Sequence, residues 1–157
     1  MKKLCYGGWL LLGLAVVSPL RASAETRTWN GPATGDWFTA VNWTPSDNYP
    51  QAGDTVVIAT GSALLTNETA ELAAFSITNA TLVFSNWTTR LRATTVNIWS
   101  NGILTLPGAF TEAQMSNRVW VVCTNLTMDV NGGINVNAKG YAGGSGAGVS
   151  GSGPGGG

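Results

Sequence analysis

A short strand–turn–strand unit recurs four times along this chain. The copies are VVIATGSALL (Val56 to Leu65), SITNATLVF (Ser76 to Phe84), VNIWSNGILTL (Val96 to Leu106) and MDVNGGINV (Met128 to Val136). In each, apolar residues at i and i+2 lead into a Gly, Asn or Ser turn, and a second apolar pair follows. Period-two alternation rich in β-branched residues is a strand signal. A unit this small cannot bury its apolar face alone, so repeats of about 20 residues stack into solenoids. The pattern predicts an all-β chain, a β-solenoid with one repeat per turn. Strands would stack in parallel, with inward Ile, Leu, Val and Phe as a continuous core. Turns such as SNG and NGG also suit hairpins, which leaves an antiparallel β-sandwich as the alternative.

Spacing favours the solenoid. Ile58, Ile77 and Ile98 precede the first three turns, 19 and 21 residues apart, and Val130 is matched to them in the fourth copy, 32 residues on. The excess falls on PGAFTEAQMSN (Pro107 to Asn117), an excursion loop in which Thr111 and Gln114 could form a capping box for a short helix. Asn67 to Ala74 reads either as one helical turn or as a strand. Asn79, Asn101 and Asn131 are expected at the corners, where Asn tolerates left-handed backbone and bonds locally.

Four zones follow. Residues 1–24 read as a signal peptide: Lys2 and Lys3, an apolar run from Trp9 to Leu20, and Ala22-Ser23-Ala24 as the cleavage site. The apolar run is short for a membrane span, and no second run follows, so no span is expected in the exported chain. Residues 25–53 are rich in Trp and turns, residues 54–139 carry the repeats, and residues 140–157 form a Gly-rich, low-complexity tail. Ending on GSGPGGG without a closing cap, the chain reads as truncated.

Loss of Lys2, Lys3 and Arg21 with the leader leaves five basic residues against eight acidic ones, with no basic stripe. Nucleic acid is therefore not an expected partner. Cys123 is the one cysteine outside the leader, so stability rests on burial and backbone ladders rather than on an intrachain disulfide. With no histidine in the chain, Ser-His-Asp and Cys-His catalysis and His-ligated zinc are excluded.

The segment TWNGPATGDWFTAVNWTPSDNYPQAGDTVVI carries a more specific pattern: W-x-G, G-x-W, N-W, a Pro, then G-D-x-V-x-I. The matching residues are Trp29, Gly31, Gly35, Trp37, Asn42, Trp43, Pro50, Gly53, Asp54, Val56 and Ile58. This resembles the start of large secreted bacterial β-helix repeat proteins, including autotransporter-like passengers and the surface proteins of Verrucomicrobia- and Planctomycetes-type bacteria. The resemblance implies a right-handed parallel β-helix. It also implies surface attachment, or a scaffold for later carbohydrate-active or binding modules. This chain is far shorter than such proteins.

Trp29, Trp37 and Trp43 are expected to plug the open end of the coil, since an uncapped end exposes core and unpaired backbone. Trp87 and Trp99 fall out of step with the apolar face and are the candidates for stacking on a carbohydrate. Asp36, Asp47 and Asp54 cluster in sequence, but neither the paired carboxylates of a glycosidase nor a calcium-loop spacing is identifiable. Cys123 sits in an apolar run and reads as a buried, inert thiol. GAGVSG in the tail matches G-x-G-x-x-G without the strand and helix that fingerprint needs. No catalytic residue, metal or cofactor is expected. The sequons at Asn67, Asn79, Asn86 and Asn125 follow from composition. The expected function is a secreted, non-enzymatic structural module that caps and nucleates a longer adhesin-like surface protein. Its main partner would then be the remainder of its own chain, with polysaccharide or the cell surface beyond. The alternatives are a carbohydrate-binding module, or the N-terminal fragment of a β-helix polysaccharide lyase or hydrolase.

Overall fold

The computed structural model describes residues 23–111, 117–144 and 146–151. Most of the expected leader, the capping-box partner Gln114 and the last six residues lie outside these. The described chain is all-β, with one turn of 3-10 helix at Ala40–Asn42. Its strands are β1 (Thr26–Trp29), β2 (Gly35–Asp36), β3 (Trp43–Thr44), β4 (Thr55–Ile58), β5 (Ser62–Leu65) and β6 (Leu72–Ile77). They continue as β7 (Thr81–Phe84), β8 (Leu91–Ile98), β9 (Ile103–Thr105), β10 (Val121–Met128) and β11 (Gly133–Asn135).

Two sheets result. One has the order β10-β8-β6-β4-β1-β3 and the other β11-β9-β7-β5-β2. From β4 onward, consecutive strands alternate between the sheets; β4 and β5 pair in parallel with β1 and β2, and from β6 each pairs in parallel with the strand two before it. The two strands of one repeat therefore do not pair as a hairpin. The antiparallel pair is β1 with β3, at one end of the first sheet. Single-residue alternation sends Val56, Ile58, Phe75, Ile77, Val96 and Ile98 from one sheet, and Leu65, Leu82, Phe84 and Leu104 from the other, into a single buried core.

The ladder register places Ile58, Ile77, Ile98 and Met128 opposite one another in succession. This corrects the match of Val130 to the three isoleucines. The turns lengthen from three residues (59–61 and 78–80) to four (99–102 and 129–132). Val130 falls within the fourth turn and is 90% exposed. The stretch from Asn67 to Ala74 is loop up to Glu71 and strand from Leu72, with no helical turn.

The longer connections stack as well. Thr69 N–H donates to Arg90 O at 2.9 Å, and Leu91 N–H donates to Trp120 O at 2.9 Å. Order also continues past residue 139. Phe110 forms a parallel bridge with Tyr141, flanked by Phe110 N–H to Gly140 O at 3.1 Å and Ala142 N–H to Phe110 O at 2.8 Å. The rings meet edge to face at 4.6 Å. The first residues of the Gly-rich tail are thus tied to the loop that follows β9.

Candidate functional site

Trp29, Trp37 and Trp43 come together at the β1–β3 end. All three are buried. Trp43 packs edge-on against Trp29 at 5.0 Å and against Trp37 at 4.8 Å, and Trp37 reaches Phe75 at 6.2 Å. Trp43 Nε1–H donates to Trp37 O at 2.7 Å. The spacing W-x-G has a direct cause, since a Cβ at Gly31 would occupy the space of the Trp29 indole. Asn42, from the N-W pair, donates through Nδ2 to Asp36 O at 2.8 Å and accepts Asn30 N–H at 2.8 Å through its backbone carbonyl. The turn residues therefore hold the three indoles in one cluster, where edge-to-face geometry adds to apolar burial.

Two residues before Trp29, Arg27 centres a charge network with a buried core and an exposed rim. The Arg27 side chain is 5% exposed and that of Asp54 3%. Arg27 meets Asp54 at 3.4 Å and Glu25 at 2.8 Å, and is hydrogen-bonded to Asp47. It also donates to Pro45 O at 2.8 Å. Asp54 accepts two backbone amides, Glu25 N–H at 2.9 Å and Gln51 N–H at 2.8 Å. The Arg27 hydrogen bond holds the Asp47 carboxyl below its ordinary range, and the same bond raises Arg27. Asp36 accepts Phe38 N–H at 3.2 Å in a local turn. Asp47 and Asp54 thus share Arg27 as their counter-charge, whereas Asp36 is held apart in its own turn.

At the short turns, Asn79 and Asn101 have positive φ, +46° and +59°. Asn101 Nδ2–H donates to Asn79 Oδ1 at 3.0 Å. Asn131 joins this row through its backbone, accepting Asn101 N–H at 3.0 Å. Beside it, Ser100 Oγ–H donates to Asp129 at 2.7 Å, which lowers the Asp129 pKa. Trp99 projects from this edge and is 42% exposed.

Trp87 is 43% exposed, but it lies at the other end of β8. Eight residues of strand separate the two rings, on the order of 25 Å of extended chain, so they do not share one sugar-sized platform. Trp87 instead belongs to a stack with Arg118, Trp120 and Arg90. Arg90 and Arg92 both pair with Glu68, and Arg92 also meets Glu71 at 2.8 Å. Hydrogen bonds from Arg92 and then Arg90 hold Glu68 below its ordinary pKa. Cys123 is half-buried opposite Ala93 and packs against the core edge.

Residues 42–150 match the G8 domain, over more than half of the chain. The chain belongs to the G8 domain family. No curated protein and no solved structure matches it. G8 is an extracellular domain family, in agreement with the reading of the leader as an export signal. The matched span begins at Asn42, so it takes in Trp43, Asp54, the corner asparagines and both exposed tryptophans. Arg27, Trp29 and Trp37 precede it.

The two sheets end very differently at the β1–β3 side and at the β10 and β11 side. At β10 and β11, residues in register with buried positions are open: Leu126 (opposite Val96) is 46% exposed, Met128 51% and Ile134 (opposite Leu104) 46%. Leu106, Phe110, Val119, Ile134 and Val136 line a cleft of about 420 Å³ at this edge. Two groups of residues, one before the matched span and one within it, were not singled out from sequence. Arg27 was legible only as a lone base among nearby acids. Arg118 and Trp120 follow the excursion loop, and only the fold brings them to Trp87.

Proposed function

We propose that this chain is the capping and nucleating N-terminal part of a longer extracellular protein built on a right-handed parallel β-helix. Its role on this reading is structural and non-catalytic, in a surface or adhesin-like protein of the autotransporter-like, Verrucomicrobia- or Planctomycetes-type kind. One observation carries it: the contrast between the two ends. One end has the antiparallel strand β3 and three buried tryptophans. The other presents an unpaired strand edge and half-exposed Leu126, Met128 and Ile134. A parallel edge with open apolar positions is a template, since its amides, carbonyls and side chains fit a further strand of the same pattern.

The mechanism is stepwise. The tryptophan end excludes edge-to-edge association, and the first turns set register. Each later turn then buries the apolar face of the one before. The partner is the remainder of the same chain.

The test is the reading frame beyond codon 157, followed by amide exchange on the chain with and without the encoded extension. Further strand–turn–strand repeats are expected, with β10 and β11 exchanging fast in the short chain and slowly in the extended one. A stop directly after Gly157, or equal protection of β4 and β10 in the short chain, would overturn the reading. Turnover of pectin, alginate or xylan by the isolated chain would overturn its non-catalytic part.

A further inference from the structure

A continuous stack of indole and guanidinium groups lies where the chain enters β8 and β10, and a scaffold role leaves it without a use. Its order is Trp87, Arg118, Trp120, Arg90. Arg118 is held between two indoles, 4.3 Å from the Trp87 ring centre and 3.7 Å from that of Trp120, and Arg90 covers Trp120 at 4.5 Å. Arg118 Nε–H donates to Trp87 O at 2.8 Å, which fixes the plane of the guanidinium. Arg90 has Glu68 as its ion partner. Arg118 differs: among the described residues no carboxylate lies within ion-pair distance of it.

A guanidinium carries five N–H donors in a rigid fork that matches a carboxylate or sulfate with two parallel bonds. In Arg118, Nε is used by a carbonyl, and the guanidinium carbon lies over two indole rings. The Nη groups have no acceptor among the described residues. The same stack leaves Trp87 43% exposed although Arg118 covers one of its faces. A flat apolar face beside an oriented oxyanion fork matches one kind of ligand: a sugar ring bearing a charged oxyanion.

The geometry points to Trp87 and Arg118 as a binding site for an acidic polysaccharide, the ring of a uronate or sulfated sugar stacking on Trp87 while its oxyanion takes the Arg118 fork. Trp120 and Arg90 are positioning residues that hold Arg118 in its plane. Outside the leader the chain has more acids than bases, so recognition rests on this local pair rather than on a broad positive field. The inference is independent of whether the chain templates further turns.

Calorimetry on the full chain tests it with three probes: oligogalacturonate, the same oligomer fully methyl-esterified, and sulfated dextran oligomers. Binding of at least one anionic probe is expected, with the neutral ester much weaker. Arg118→Lys keeps the charge and loses the fork, and should weaken binding by about tenfold or more, the usual worth of a charge-assisted bond. Trp87→Ala should do the same, while Trp99→Ala, at the far end of β8, should bind like the parent. Thermal melts matching the parent establish that the variants are folded. The anionic probe that binds identifies the source, uronate or sulfate ester. No binding to any probe, equal binding of the neutral ester, or parental affinity in folded Arg118→Lys and Trp87→Ala would each overturn the site.

Discussion

Met128 lies directly opposite Ile98 in the parallel ladder, yet Ile98 is fully buried and Met128 is 51% exposed. Two residues with the same inward role differ because strands flank Ile98 on both sides, while β10 is the last strand of its sheet. Truncation should therefore separate them. Ile98→Ala removes a buried side chain and should cost about 2–5 kcal/mol, whereas Met128→Ala should stay below about 1 kcal/mol. Urea unfolding of both variants measures this. Equal losses would mean that Met128 is covered in solution, by self-association or by the tail.

Arg27 joins the first strand to Asp54, 27 residues later, with both side chains nearly inaccessible. Arg27→Met should cost about 3–5 kcal/mol, because it leaves the Asp54 carboxylate buried without its counter-charge. Adding Asp54→Asn should recover part of the loss, since an amide oxygen still accepts a backbone N–H. Denaturation midpoints of the single and double variants check this. A loss near that of an exposed pair, ~0–1 kcal/mol, would count against the network as a holding point.

The all-β class and the repeats around Ile58, Ile77 and Ile98 were legible because buried strands impose a period of two and each turn interrupts it. The register of the fourth repeat was not. Asp129-Val130-Asn131-Gly132 is a four-residue turn, and turn length is set by stacking on Trp99–Gly102 rather than by local composition. The candidate site divides in the same way. Trp87 and Trp99 stood out as apolar residues on a polar face, but their separation depends on β8 lying between them. Arg118 meets Trp87 across 31 residues, a contact no local pattern announces.

Gly102 marks where one turn lies on the next. A Cβ there would sit 2.5 Å from Ile77 O, closer than real side-chain contacts allow. That oxygen accepts Trp99 N–H at 2.8 Å, so it is not free to move aside. Gly102→Ala should break the stacking of the second and third turns and cost at least ~2 kcal/mol, through steric strain rather than helix or strand propensity. Gly108→Ala is the control, with open space around its Cβ position. Thermal melts that place the two variants together would contradict the close approach.

Acid should destabilise the fold, and neutral pH should be flat. Asp47, Glu68 and Asp129 all have pKa values depressed in the folded chain, the first through Arg27, the second through Arg92 and Arg90, the third through Ser100. Below its ordinary value each binds a proton more readily in the unfolded chain, so the stability it contributes is present above that value and is lost as pH falls through the depressed one. The ordinary values are 4.5 for Glu68 and 3.8 for the two aspartates, which sets the onset of the loss. The absence of histidine removes the side chain that ordinarily titrates between about pH 5 and 8. Melting temperature should hold steady from about pH 8 down to 5 and then fall. Arg27→Met should flatten the part of that fall due to Asp47. A melting temperature that climbs on acidification below the Glu68 value would mean that these carboxylates are paired no better in the folded chain than in the unfolded one.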